Sequence, residues 1–201
     1  MIITSRLAWF HLPKTAGTTT DQLFITSGLK LLWHDSQSSP VKHLSALDHP
    51  YASSLPLSGK QYLCNFRRLP YWLLSNYQHK IVRMGLEIDH SFIQQGLFWR
   101  ERQQEWLPAD WWLDKLSIDD SWSFLRVEYL KSDFLRCLSL YEPINCLSGL
   151  RVRLVPSKNK TLYKRSLIDW FSMDNLRNMY FNNPRWTSLE QELYGNLMVD
   201  M

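Results

Sequence analysis

The chain has 201 residues, 45% of them hydrophobic and 21% charged, which suffices for one globular core and is too short for two large ones. The formal net charge of +4 suits an anionic ligand. The basic residues come in short pairs such as Arg67–Arg68 and Lys164–Arg165, with no stripe that could track a phosphate backbone, so no nucleic-acid partner is expected. Cys64, Cys137 and Cys146 are odd in number and lack a C-x-x-C spacing, so they read as buried thiols of a reducing compartment, neither a disulfide frame nor a metal site. No apolar signal core follows Met1 and no stretch approaches a membrane span. The expectation is a cytoplasmic protein without integral membrane association.

Along the chain, Leu7 to Leu12 form a continuous apolar run, the mark of a buried parallel strand. A turn at Pro13–Gly17 leads into a helix predicted from Thr18 to Leu29, with Thr18 or Thr19 as N-cap and Gly28 near its end. Gln61 to Phe66 repeats the strand pattern. Pro70 suits the first turn of the next helix, which carries Leu74, Tyr77, Ile81 and Met84 at helical spacing.

The alternation stops between Glu87 and Ser121. This stretch holds Trp99, Trp106, Trp111 and Trp112, with Trp122 just beyond, and is expected to be a helical insertion over residues 87–121. Most of its rings are expected to pack against the sheet, although aromatic faces also stack on sugars. Ser123 to Val127 reads as a third strand, Lys131 to Leu140 as a helix, and Val152 to Val155 as a fourth short strand. Ser166 to Gly195 looks helical with a break at Asn182-Asn183-Pro184. Strands alternating with helices imply an α/β fold: a three-layer parallel sheet flanked by helices, as one domain over residues 1–201, with ligands at the carboxyl ends of the strands.

Pro13-Lys14-Thr15-Ala16-Gly17-Thr18-Thr19 lies between a strand and a helix, which is how a protein builds a phosphate cradle. Backbone N–H groups at the helix start point at the ligand, and the helix dipole favours negative charge there. Gly17 allows close approach, the threonines add donors, and Lys14 supplies a mobile charge. In the Walker A loop the lysine follows the second glycine. Here it stands three residues before the only glycine, which weakens an ATPase or kinase assignment.

His11-Leu12-Pro13-Lys14-Thr15-Ala16-Gly17-Thr18-Thr19 closely resembles the 5′-phosphosulfate loop of the sulfotransferases, particularly the carbohydrate and related bacterial branch. The segment Phe66 to Tyr77 is similar to that family's 3′-phosphate signature, an arginine followed eight residues later by a helical serine. Arg67 and Ser75 satisfy that spacing. The family's proline usually stands two residues after the arginine, and by that register Arg68 is the ligand; the distance to Ser75 favours Arg67. Phe124 to Leu130 resembles a later strand end of the family, with Tyr129 where an acid is usual, and Pro156 to Thr161 resembles a loop near the nucleotide. The resemblance runs from about Leu7 to Gly195, and only its first two motifs are specific.

What it implies is a P-loop NTPase-like sulfotransferase fold that takes 3′-phosphoadenosine 5′-phosphosulfate (PAPS) as donor and a hydroxyl acceptor, on a carbohydrate or other small molecule, with no metal. Lys14 would neutralise the leaving oxygen, and Thr15, Ala16, Gly17, Thr18 and Thr19 would hold the 5′-phosphate. Arg67 and Ser75 would grip the 3′-phosphate. His43, within Val41 to Ala46, resembles the branch's candidate base, with His34 and Asp48 in reserve. His11 is expected to be buried and hydrogen-bonded. Arg126 and Glu128 are expected to be a structural pair, and Lys158, Asn159 and Lys160 a solvated basic loop. Two alternatives stay open: a non-catalytic nucleotide-binding module, and an ATP-dependent phosphotransferase with a variant loop.

Overall fold

A computed structural model describes residues 1–156 and 166–200. Its strands are β1 (Ile2–Ile3), β2 (Leu7–Phe10), β3 (Trp33–His34), β4 (Gln61–Phe66), β5 (Leu97–Arg100), β6 (Glu105–Pro108) and β7 (Ser123–Arg126). Its helices are α1 (Gly17–Ser27), α2 (Leu69–Gln78), α3 (His90–Gln94), α4 (Asp110–Lys115), α5 (Leu130–Tyr141), α6 (Cys146–Leu154), α7 (Met173–Phe181) and α8 (Pro184–Tyr194). The chain divides into two compact units, Met1–Phe66 with Lys115–Lys160, and Arg67–Asp114 with Thr161–Met201.

The first unit carries a five-stranded sheet in the order β3-β1-β2-β4-β7. Strands β2, β4 and β7 are parallel, with Phe10 opposite Cys64 and Phe66 opposite Arg126. Strand β1 is antiparallel to both β2 and β3, so the sheet is mixed where the sequence pattern implied a parallel one. The cause is length: the turn at residues 4–6 is far too short for the crossover that a parallel pair needs. Glu142 holds that turn, accepting hydrogen bonds from the Thr4 hydroxyl (2.5 Å), the Ser5 hydroxyl (2.8 Å) and the Arg6 N–H (2.6 Å).

Alternation along the strands gives the sheet two apolar faces. Leu7, Trp9, Leu63 and Leu125 form one, packed with Leu23 and Phe24 of α1, Phe134 and Leu138 of α5 and Val152 of α6. On the other, Phe10, Tyr62 and Trp122 pack at tilted and edge-on angles, with ring centroids 4.9–5.3 Å apart. Val152 lies in α6, not in a fourth parallel strand. The Asn145 side chain caps that helix by accepting from the Ser148 N–H at 2.8 Å, and Val152 is its one buried residue. Of the cysteines, Cys64 and Cys137 are buried, and burial pushes both thiols up to about 12. Cys146 is exposed, contrary to expectation.

In the second unit the tryptophan-rich stretch is only partly helical. Between α3 and α4 it forms an antiparallel hairpin of β5 and β6, with Trp99 opposite Trp106 and Gln104 in left-handed backbone at φ 51°. Aromatic cross-strand pairs favour a pleated ribbon over a helix. Helix α2 starts with Pro70 in its first turn and continues into a π-helical segment, His79–Arg83. The expected C-terminal break separates α7 from α8, and the Asp110 carboxylate opens α8 by accepting from the Arg185 and Trp186 N–H groups at 2.9 and 2.8 Å. Trp186 is fully buried against Trp72, centroids 5.0 Å apart. Among the described residues no helix is long and apolar enough to cross a membrane.

Phe134 is fully buried and meets Phe24 edge-on at 4.9 Å. Truncating such a ring removes its transfer free energy and leaves a cavity, so Phe134→Ala should cost about 3–5 kcal/mol in urea unfolding.

Candidate functional site

Strand β2 ends at Phe10, and the loop that follows turns directly into α1. Two non-glycine residues in it hold left-handed backbone, Lys14 at φ 64° and Ala16 at φ 62°. Each costs roughly 1–3 kcal/mol, and such strain concentrates where backbone shape serves a ligand. Ala16 is the N-cap of α1 and makes no side-chain capping bond. Left-handed residues set between others are one way a loop turns successive N–H groups toward an anion. The loop follows the carboxyl end of β2.

Gly17 is required sterically. A Cβ there would lie 1.7 Å from His11 Nε2. The His11 ring is buried, stacked on Trp9 at 5.1 Å and tilted against His43 at 4.4 Å. Its Nδ1 has no hydrogen-bond partner, so the expectation of a hydrogen-bonded ring does not hold. Burial, helped by His43, holds its pKa well below the usual histidine range.

The loop is anchored from the neighbouring strand. Asn65, fully buried in β4, accepts from Trp9 Nε1 at 2.8 Å. Its amide donates to the Thr15 carbonyl and to the Thr20 hydroxyl, both at 2.6 Å. The Thr15 hydroxyl donates inward to the Leu12 carbonyl at 2.6 Å, which leaves its backbone, not its hydroxyl, for a ligand. Thr19 is buried, with its N–H on the Ala16 carbonyl at 2.9 Å, while Lys14, Ala16 and Thr18 are half-buried. Sequence reasoning missed Asn65, although a carboxamide inside the apolar run Gln61 to Phe66 was a visible signal.

His43 lies against this loop. Its Nδ1 is 2.8 Å from the His11 carbonyl, and because a carbonyl only accepts, Nδ1 carries the proton and Nε2 is the basic nitrogen of the neutral ring. Burial first, then the positive charges of Lys42 and Lys14, brings its pKa down to about 4 against the raising effect of that hydrogen bond. The reserves are engaged elsewhere: His34 pairs with Asp21 at 2.6 Å, and Asp48 with Lys115 at 3.3 Å.

Phe66 ends β4 beside β2, and Arg67 follows it in the chain. In the second unit the Arg67 carbonyl accepts from Trp186 Nε1 at 3.0 Å, and Ser75 is buried in α2. Arg68 is committed to structure. Its guanidinium donates to Glu190 Oε1 (3.3 Å), the Asn196 carbonyl (3.1 Å) and Asn196 Oδ1 (2.8 Å), and stacks on Tyr194 at 4.3 Å. Glu190, also missed from sequence, accepts in addition from the Leu69 N–H at 2.7 Å and the Tyr180 hydroxyl at 2.8 Å. Arg126 pairs with Asp133 at 2.8 and 2.9 Å in a two-pronged contact. Ser157, Lys158, Asn159, Lys160 and Thr161 lie outside the described residues. No family model, curated protein sequence or solved structure matches this chain.

Two outcomes are expected. Gly17→Ala should destabilise the fold by at least the ~1–3 kcal/mol typical of overpacking. Adding His11→Ala should restore part of that loss in a double-mutant cycle of urea midpoints, because the clash is with that ring. Burial pushes the Glu190 carboxyl up from 4.5 to about 7, so the folded chain holds that proton more tightly than the unfolded one. The stability this group contributes is fully present below 4.5 and is lost as pH rises through about 7. Unfolding free energies measured across that window should fall in wild type and fall less in Glu190→Gln.

Proposed function

We propose that this chain is a PAPS-dependent sulfotransferase of the P-loop-like α/β type, transferring sulfonate to an acceptor hydroxyl on a carbohydrate or glycolipid. The observation that carries this is the strained loop between β2 and α1. Two left-handed residues, one of them the lysine, shape the turn into α1 in a segment that resembles the family's 5′-phosphosulfate loop.

In the proposed reaction the acceptor oxygen attacks sulfur in line as its proton passes to His43 Nε2. The bond between sulfur and the bridging oxygen breaks, its electron pair stays on the 5′-phosphate, and 3′,5′-ADP leaves. Lys14 offsets the charge that grows on that oxygen. Transfers of this kind need positioning and electrostatics more than covalent help. A neutral His43 can accept a proton at pH 7. Its pKa of about 4 makes it a weak base in the unliganded chain, and a bound dianion nearby would raise it.

The 3′-phosphate is assigned to Arg67 and Ser75. Arg68 is held by Glu190, Asn196 and Tyr194 and would have to leave these partners to serve as the ligand instead.

Calorimetry with 3′,5′-ADP tests the assignment. Lys14→Ala and Arg67→Ala should each weaken binding about tenfold or more, the scale of a charged hydrogen bond. Arg68→Ala should lower the melting temperature more than the affinity. His43→Ala should keep 3′,5′-ADP affinity while transfer from labelled donor to pooled glycans falls by about 10²–10⁴. A wild-type chain that ignores 3′,5′-ADP, or that binds magnesium–ATP in its place, would overturn the proposal.

A further inference from the structure

Helix α6 turns its leucines the wrong way for a core helix. Val152 faces the interior, while Leu147, Leu150 and Leu154 are 58%, 54% and 72% exposed. Their spacing of three and four residues stacks them on one side of the helix, and Arg151 falls within the same stripe. Arg153 is exposed beside it, and Lys131 of α5 donates from Nζ to the Arg153 carbonyl at 2.8 Å, placing a third cation at the end of the stripe. Helix α6 has no acidic residue, and the one acid of α5, Asp133, is buried.

We propose that this face of the first unit docks on an anionic bilayer surface. A convex row of leucines suits insertion among lipid headgroups, whereas a protein partner would need a groove to receive it. The long arginine and lysine side chains can lie along the apolar surface and reach outward to headgroup phosphates. Charge complementarity selects anionic over neutral lipid, because each cation near such a surface adds attraction that salt screens. This docking is peripheral and stands independently of the nucleotide loop.

The test is co-sedimentation of the full chain with vesicles of phosphatidylcholine alone or mixed equally with phosphatidylglycerol. The chain should pellet with the mixed vesicles, stay in solution with neutral ones, and be released by added salt. Arg151→Gln with Arg153→Gln should weaken partitioning about thirtyfold, taking about tenfold per 1.4 kcal/mol and one such cation at about 1 kcal/mol. Leu150→Ser with Leu154→Ser should weaken it at least tenfold. Unchanged thermal melting and unchanged 3′,5′-ADP affinity in these variants would separate loss of docking from misfolding or damage to the loop. Wild type left in the supernatant with mixed vesicles overturns the proposal, as do variants that pellet like wild type. A concentration-dependent dimer in light scattering that the leucine variants abolish also overturns it, because the face would then belong to a second copy of the chain.

Discussion

The amide of Asn65 sits where a strand, a loop and a helix of the first unit meet, and it fastens all three. From β4 it accepts the indole N–H of Trp9 in β2 and donates to Thr15 in the loop and Thr20 in α1. This anchor helps to hold Lys14 and Ala16 in left-handed backbone, where an L-residue's Cβ crowds the following carbonyl. With it, the loop is ordered in the unliganded chain, so the anion proposed to bind there would find little ordering left to do. The anchor lies deep in the sheet, where water cannot compete for its hydrogen bonds.

Much of this was legible in the sequence. Gln61 to Phe66 is read correctly to the residue because Tyr62, Leu63, Cys64 and Phe66 are closed off by a pair of arginines and a proline. Helix α1 ends at Gly28, whose left-handed backbone stops it as expected. The N-cap was not legible. Threonine is the favoured capping residue, but the loop's own turn makes Ala16 the boundary and leaves the threonines inside the helix. Val152 to Val155 reads as a strand because valines open and close so short a window, while the cap at Asn145 decides the matter from outside it. The hairpin at Trp99 and Trp106 was hidden for a related reason: rings spaced several residues apart fit a helix face as well as a ribbon.

The site was legible in outline only. Local spacing places Lys14 at the end of a strand, but a clash such as that between Gly17 and the His11 ring depends on a side chain six positions earlier folding back. The partners of Arg68 stand more than a hundred positions away, at Glu190 and Asn196, beyond the reach of any local pattern. The second unit also uses buried carboxylates where the first uses a carboxamide. Asp110 and Glu190 both accept backbone N–H groups at helix starts. Burial raises the pKa of both, so these ends are held by groups whose charge is itself under strain.

The sheet's order leaves β3 and β7 as its outermost strands, of two and four residues. A row of unpaired backbone groups is an invitation to another chain, and its hazard grows with length and flatness. Borders this brief offer a neighbouring molecule scarcely one rung to grasp. Short outer strands thus limit the length over which a second chain could add to this sheet.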